Sequence, residues 1–274
     1  MANVAPSFVA SGTPATSAAY SGRAISLTYP AGVAIDDICV IWMSASDNVI
    51  TTPAGWTLQE DSGSPRTYLW TRVYDGTEGA SEVMQMSGNA TRLRYGVMHA
   101  FRGGDPLDPI DGSSSGTFAA ATSHTPPSVT TAVDGTAIFT CFLTTHASVN
   151  NVPSLPAGAT SIWTGYTSLG TDTASRHFAK AAPTAGVIAG ALSTWTYSDT
   201  GSVASIGLKA VAQLPPTEMA ATLTGRAVLL PRLKGPTPDF DSFLDSRTGQ
   251  GTLVKVDVGD YDGSNLIRLE GGKS

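Results

Sequence analysis

The sequence predicts an all-β protein, an antiparallel β-sandwich of jelly-roll-like type formed from two degenerate copies of one pattern, with a small β-rich C-terminal extension. Three observations predict it. Short apolar runs alternate with turn signals along most of the 274 residues, as hairpin-joined strands do. The pattern occurs twice. Ile35-Asp36-Asp37-Ile38-Cys39-Val40-Ile41-Trp42, Thr52-Pro53-Ala54-Gly55-Trp56, Arg66-Thr67-Tyr68-Leu69-Trp70 and Gly96-Val97-Met98-His99-Ala100-Phe101 form the first copy. The worn second copy reads Val133-Asp134-Gly135-Thr136-Ala137-Ile138-Phe139, Leu155-Pro156-Ala157-Gly158, Ser175-Arg176-His177-Phe178 and Ser205-Ile206-Gly207-Leu208-Lys209-Ala210. Finally, breaks such as Tyr29-Pro30-Ala31-Gly32 and Tyr74-Asp75-Gly76 offer Pro at φ near −65° or Gly at positive φ, the chemistry of tight turns.

Taken in order, residues 1–20 are Ala, Ser, Thr and Pro without periodicity and read as an N-terminal arm. The sandwich spans 21–212, copy one at about 24–103 and copy two at about 128–212. Strand signals in the first copy fall at Ala24 to Tyr29, Ile38 to Met43, Trp56 to Gln59, Tyr68 to Tyr74, Ser81 to Met86 and Arg94 to Phe101. Arg102 to Pro127, rich in Gly, Ser and Ala, reads as a long connection. Strands resume at Ser128 to Thr131, Ala137 to Thr144, Ser161 to Tyr166, Arg176 to Ala181, Val187 to Ser193 and Val203 to Val211. Pro215-Pro216 cannot continue a ladder, so 213–218 is a linker. Residues 219–274, with little room for a core of their own, read as an anchoring or assembly segment in which Leu229, Leu230, Phe240 and Phe243 are the candidate contacts.

Composition excludes several functions. Charged residues make up 14% of the chain and its net charge is −6, against roughly a quarter charged in ordinary soluble proteins. Nucleic acid is therefore not an expected partner, because its phosphates demand clustered Lys and Arg. No apolar stretch approaches the roughly 20 residues that cross a bilayer, and the first residues lack a signal-peptide pattern, so a chain made in the cytoplasm and without a membrane partner is expected. Cys39 and Cys141 each sit in an apolar run and read as buried free thiols, with a disulfide between adjacent strands as the alternative. Two thiols are too few for a structural zinc site.

Chemistry-bearing residues are sparse. His99, His124, His146 and His177 are scattered without ligand spacing, and no Ser lies in a nucleophile motif. Asp36 with Asp37, Glu60 with Asp61, and Glu78 with Glu82 are the carboxylate pairs a glycosidase would need, but each lies at a strand start or a turn, where acids are routinely solvated. Asp257 to Asn265 has the Asp-x-Asp-Gly turn of a calcium loop without its Glu, and reads as a turn between strands. No catalytic residue, metal or cofactor is therefore expected. Among the aromatics, Trp42 and Trp70 belong to core strands, whereas Trp56 and Tyr166 are the candidates to face a glycan. Trp56, at the end of its loop, has the competing role of packing under the turn.

The succession of an acidic strand start, Pro53-Ala54-Gly55-Trp56-Thr57, Arg72-Val73-Tyr74-Asp75-Gly76 and His99-Ala100-Phe101-Arg102-Gly103 resembles the β-sandwich module of virion proteins of tailed bacteriophages and phage-like particles, of minor tail, fibre or head-decoration type. Residues 24–212 carry the likeness; the second copy lacks the Trp after Pro156-Ala157-Gly158 and the Phe-Arg-Gly ending. The resemblance implies a non-enzymatic accessory protein in the virion, decorating capsid or tail, anchored partly through its terminal segments and partnered by other virion proteins in an oligomer or symmetric array. A carbohydrate-binding or host-adhesion module, with a host surface glycan as its ligand, is the alternative.

Overall fold

The computed structural model describes residues 3–17, 24–45, 49–63, 66–87, 94–145, 151–167 and 173–211. Among them every regular element is a strand, and no helix is long and apolar enough to cross a membrane. The first half holds β1 (Ser7–Ser11), β2 (Ala15–Ser17), β3 (Ala24–Thr28), β4 (Ile38–Ala45), β5 (Val49–Ile50), β6 (Thr57–Asp61), β7 (Arg66–Val73), β8 (Ser81–Ser87) and β9 (Arg94–Arg102). The second holds β10 (Ile110–His124), β11 (Val129–Thr131), β12 (Thr136–Thr145), β13 (Thr160–Thr167), β14 (Thr173–Ala182), β15 (Gly186–Ile188) and β16 (Ser193–Leu208).

Pairing is antiparallel and nested. β1 joins β9, β3 joins β8 and β4 joins β7; likewise β10 joins β16, β11 joins β15 and β12 joins β14. This is the winding of a jelly roll. The two large sheets run β1-β9-β4-β7-β6 and β10-β16-β12-β14-β13, with the same order of corresponding strands, while β3-β8-β5 and β11-β15 form smaller sheets. β6 lies beside β10 and β1 beside β13, so the halves face one another as a two-fold axis between them would arrange.

The central strands explain why the fold closes. Along β4 every residue is buried, because its two faces enter different cores. Cys39, Ile41 and Met43 join Leu27, Met84 and Trp70 on one side, whereas Ile38, Val40 and Trp42 meet Phe139, Cys141 and Ile206 of the second half on the other. A strand covered on both faces reads as a continuous apolar run, as Ile38 to Met43 does. Phe118, Phe142, Phe178 and Trp195 fill a third cluster. Trp195 Nε1 donates to the Ala121 carbonyl at 2.8 Å, within a β10–β16 pairing whose register shifts near Ala121.

Three sequence expectations change. Residues 7–17, read as part of an N-terminal arm, supply β1 and β2 on the edge of β9. The long connection from Arg102 to Pro127 contains the 15-residue strand β10, and β16 starts at Ser193, ten residues before the expected Val203. Small polar residues give no period to read, and their pairing comes from main-chain bonds to a partner strand rather than from propensity. Cys39 and Cys141 are buried free thiols, each pushed up by burial, Cys39 to about 12. The linker 213–218, the assembly contacts Leu229, Leu230, Phe240 and Phe243, and the loop Asp257 to Asn265 lie outside the described residues.

Candidate functional site

The antiparallel register brings together two histidines that lie 78 positions apart in the chain. His99 on β9 and His177 on β14 both point into the core between the large sheets and are fully buried. They join a continuous chain of hydrogen bonds. Ser11 Oγ lies 2.8 Å from His99 Nδ1, His99 Nε2 lies 2.8 Å from His177 Nδ1, and His177 Nε2 lies 2.8 Å from Ser175 Oγ. Ser175 Oγ in turn donates to the Phe142 carbonyl at 2.7 Å.

The last bond fixes the direction of the rest. Because Ser175 spends its proton on Phe142, it accepts from His177 Nε2–H. His177 Nδ1 is then an acceptor for His99 Nε2–H, and His99 Nδ1 accepts from the Ser11 hydroxyl. In this arrangement both rings are neutral and each carries its proton on Nε2. Burial lowers the pKa of His99 to about 3 and that of His177 well below its usual value, the neighbouring His99 adding to the effect.

Aromatic rings close the pair off from water. Trp42 lies 4.5 Å from the His177 ring centroid and Trp163 lies 4.8 Å from it, while Phe139 lies 5.4 Å and Phe8 6.3 Å from His99. In the corresponding positions of the opposite half, set by the register on β4 and β12, stand Ile206 and Leu69, which are apolar and fully buried. One polar pair and one apolar pair thus join the halves. A second polar link, Thr67 Oγ1 to Ser202 Oγ at 2.7 Å, also crosses the core.

Of the carboxylates read as possible acid pairs, Asp37, Glu78 and Glu82 are bound into the scaffold. Asp37 is buried and receives Arg102 Nε at 2.9 Å, Arg102 Nη2 at 2.8 Å and the Ala34 amide at 2.8 Å. This fixes the turn that leads into β4, where Asp36 takes a left-handed φ of 70° that Asp tolerates better than most residues. In the second half Gly135 holds the equivalent turn at φ 79°. There Asp111, from another strand, accepts the Ala132 and Val133 amides and the Thr136 hydroxyl. Burial opposes ionisation of Asp111, but those bonds and the Lys209 charge outweigh it and hold the carboxyl below its ordinary range. Glu78 pairs with Arg72 Nε at 2.8 Å and accepts the Asp75 and Gly76 amides. Glu82 accepts Trp56 Nε1 at 2.9 Å.

Trp56 is therefore not presented to a glycan: it is buried, under the turn that precedes β6. Tyr166, on the edge strand β13, is 58% exposed. A shallow depression of about 280 Å³ opens between the start of β1 and the end of β9, lined by Val4, Ala5, Ser7, Arg102, Gly103 and Val211. Among the described residues no three His, Cys, Asp or Glu side chains converge as a metal site would require. The histidine pair has no signature in the sequence, because its members meet only through strand register. The sole hint is that His99 and His177 each interrupt an apolar strand. Comparison of the chain with protein-family models, curated proteins and solved structures finds no match.

Proposed function

We propose that the chain is a non-enzymatic structural or accessory protein of a tailed-phage virion, decorating capsid or tail. The observation that carries this reading is where the motif residues go. Trp56 packs under its turn, Arg72 is tied to Glu78, and Arg102 clamps the Asp37 turn. The residues behind the virion resemblance thus build the scaffold, and the same bonds occupy carboxylates a hydrolase would need free. Since β1 and β2 belong to the sandwich, anchoring in this proposal falls to 219–274, through pairing with a partner's sheet edge.

Density-gradient sedimentation of particles from cells carrying the gene, with immunodetection of the chain, tests the proposal. Co-migration with DNA-filled particles supports it. Recovery only in the soluble fraction removes it. Size-exclusion chromatography with light scattering on the full chain and on one ending at Gln213 then asks whether the C-terminal segment drives assembly. The exposure of Tyr166 favours one second reading, host-glycan adhesion, which predicts glycan-array binding that Tyr166→Ala abolishes.

A further inference from the structure

The histidine chain has two unlike ends. Ser175 is fully buried, whereas Ser11 is only partly so and lies on β1, an edge strand of five residues with no fully buried member. The pairing of β1 with β9 is irregular, its register shifting between Phe8 and Ala10. Phe8 packs edge-on against both His99 and Phe101 and so lids the pair from the same strand. The nearest route for water to the imidazoles therefore runs beneath β1.

We propose that β1 is an acid-released strap: at mildly acidic pH it detaches from β9 and opens that strand's edge to an incoming strand, while the rest of the sandwich stays folded. This inference does not rest on the virion reading. Its basis is the geometry of the chain. One proton is accommodated by reversing the donors, so that His99 donates to Ser11. A second would set N–H against N–H between the rings, and either charge lies in an apolar core.

Among the described residues no carboxylate acts on either ring to offset it. From β4 come Val40 and Trp42, from β7 Leu69, from β13 Trp163 and from β16 Ala204 and Ile206. The titratable neighbours in this core are Tyr95 of β9 and Cys141 of β12, both pushed up by burial and so neutral. Lifting β1 relieves the penalty, because hydrated imidazoles titrate near pH 6.5. Each pH unit below that favours the opened form by up to tenfold per histidine reached by water. An unpaired edge on β9 is in turn a template for another strand.

Hydrogen exchange followed by mass spectrometry between pH 7.5 and 4.5 tests this, with each rate divided by its intrinsic value at that pH. The peptide covering 3–17 is expected to lose at least tenfold protection by pH 5 while peptides from β4 and β12 keep theirs. In His99→Ile/His177→Leu, which copies the Ile206 and Leu69 pair, the strap is expected to stay closed. Protection of 3–17 that persists to pH 4.5, that is lost together with β4 and β12, or that is lost equally in the double variant overturns the proposal. Should that variant not fold, NMR titration of the wild-type imidazole carbons decides. Titration of both rings over the range in which 3–17 opens sustains the strap, and rings that stay neutral throughout the opening refute it.

Discussion

Replacing the histidine pair one ring at a time and then together should produce strongly non-additive losses of stability. His99→Ile removes the donor to His177 Nδ1, which is left as a buried acceptor without a partner. His177→Leu leaves the His99 Nε2–H group facing an apolar side chain. An orphaned buried polar group costs about 1–3 kcal/mol, and the three side chains are close enough in size that cavity terms stay small. Each single variant should therefore lose about 2 kcal/mol. The double variant leaves neither orphan, because Ser175 still donates to Phe142 and Ser11 is only partly buried. Its loss should be about 1 kcal/mol, giving a coupling of about 3 kcal/mol, at the top of the range for residues in direct contact. Urea unfolding at pH 7.5, followed by tryptophan fluorescence, supplies the four free energies. A double variant that loses the sum of the singles would mean that the rings act independently, and the one-directional chain would be wrong.

Lowering the pH should destabilise the wild type from about pH 6.5 downward. Both histidines have folded pKa values below the unfolded one, so the unfolded state binds more protons in that window. At pH 5 the loss is at most about 2 kcal/mol per ring and stops growing once β1 opens and the rings titrate in the folded protein, read as a fall in urea midpoint that the double variant does not share. Asp37→Ala should cost about 3 kcal/mol, because it strips the Ala34 amide and Arg102 of their acceptor. Arg102→Ala should cost less, about 2 kcal/mol, since its side chain is half-exposed and the pair is partly screened; the same urea series at neutral pH ranks the two, and equal stability of either variant to wild type would refute the clamp. Asp111 is held below its ordinary range, so its contribution is present above pH 4 and is lost as pH falls through the folded value. Asp111→Asn should flatten the stability curve below pH 4 and cost about 2 kcal/mol at pH 7. Trp56→Ala should lose about 3–5 kcal/mol as a buried aromatic, while Tyr166→Ala leaves the melting temperature nearly unchanged; the reverse order in a thermal melt would contradict their placement.

What the sequence makes legible depends on whether side-chain pattern or partner strand decides the structure. Ile38 to Met43 announces β4 because burial on both faces demands an unbroken apolar run, and the turns before β4 and β12 show in Asp36-Asp37 and Asp134-Gly135. β10 reads as linker because Ser113, Ser114, Ser115 and Gly116 carry no period, and only their register against Val203 to Ile206 makes them a strand. β1 escapes for the same reason, since Ser7 to Ser11 contribute main-chain bonds and a single lid, Phe8. The histidine chain is further removed, because three strands, β1, β9 and β14, must first be in place before Ser11, His99, His177 and Ser175 touch. A lone His in an apolar strand is nonetheless informative. The core admits an imidazole only where a partner awaits it, and two such residues on facing sheets are each other's nearest solution. On that argument the polar pair trades stability for responsiveness, since Ile206 and Leu69 fill the corresponding place with side chains that do not titrate.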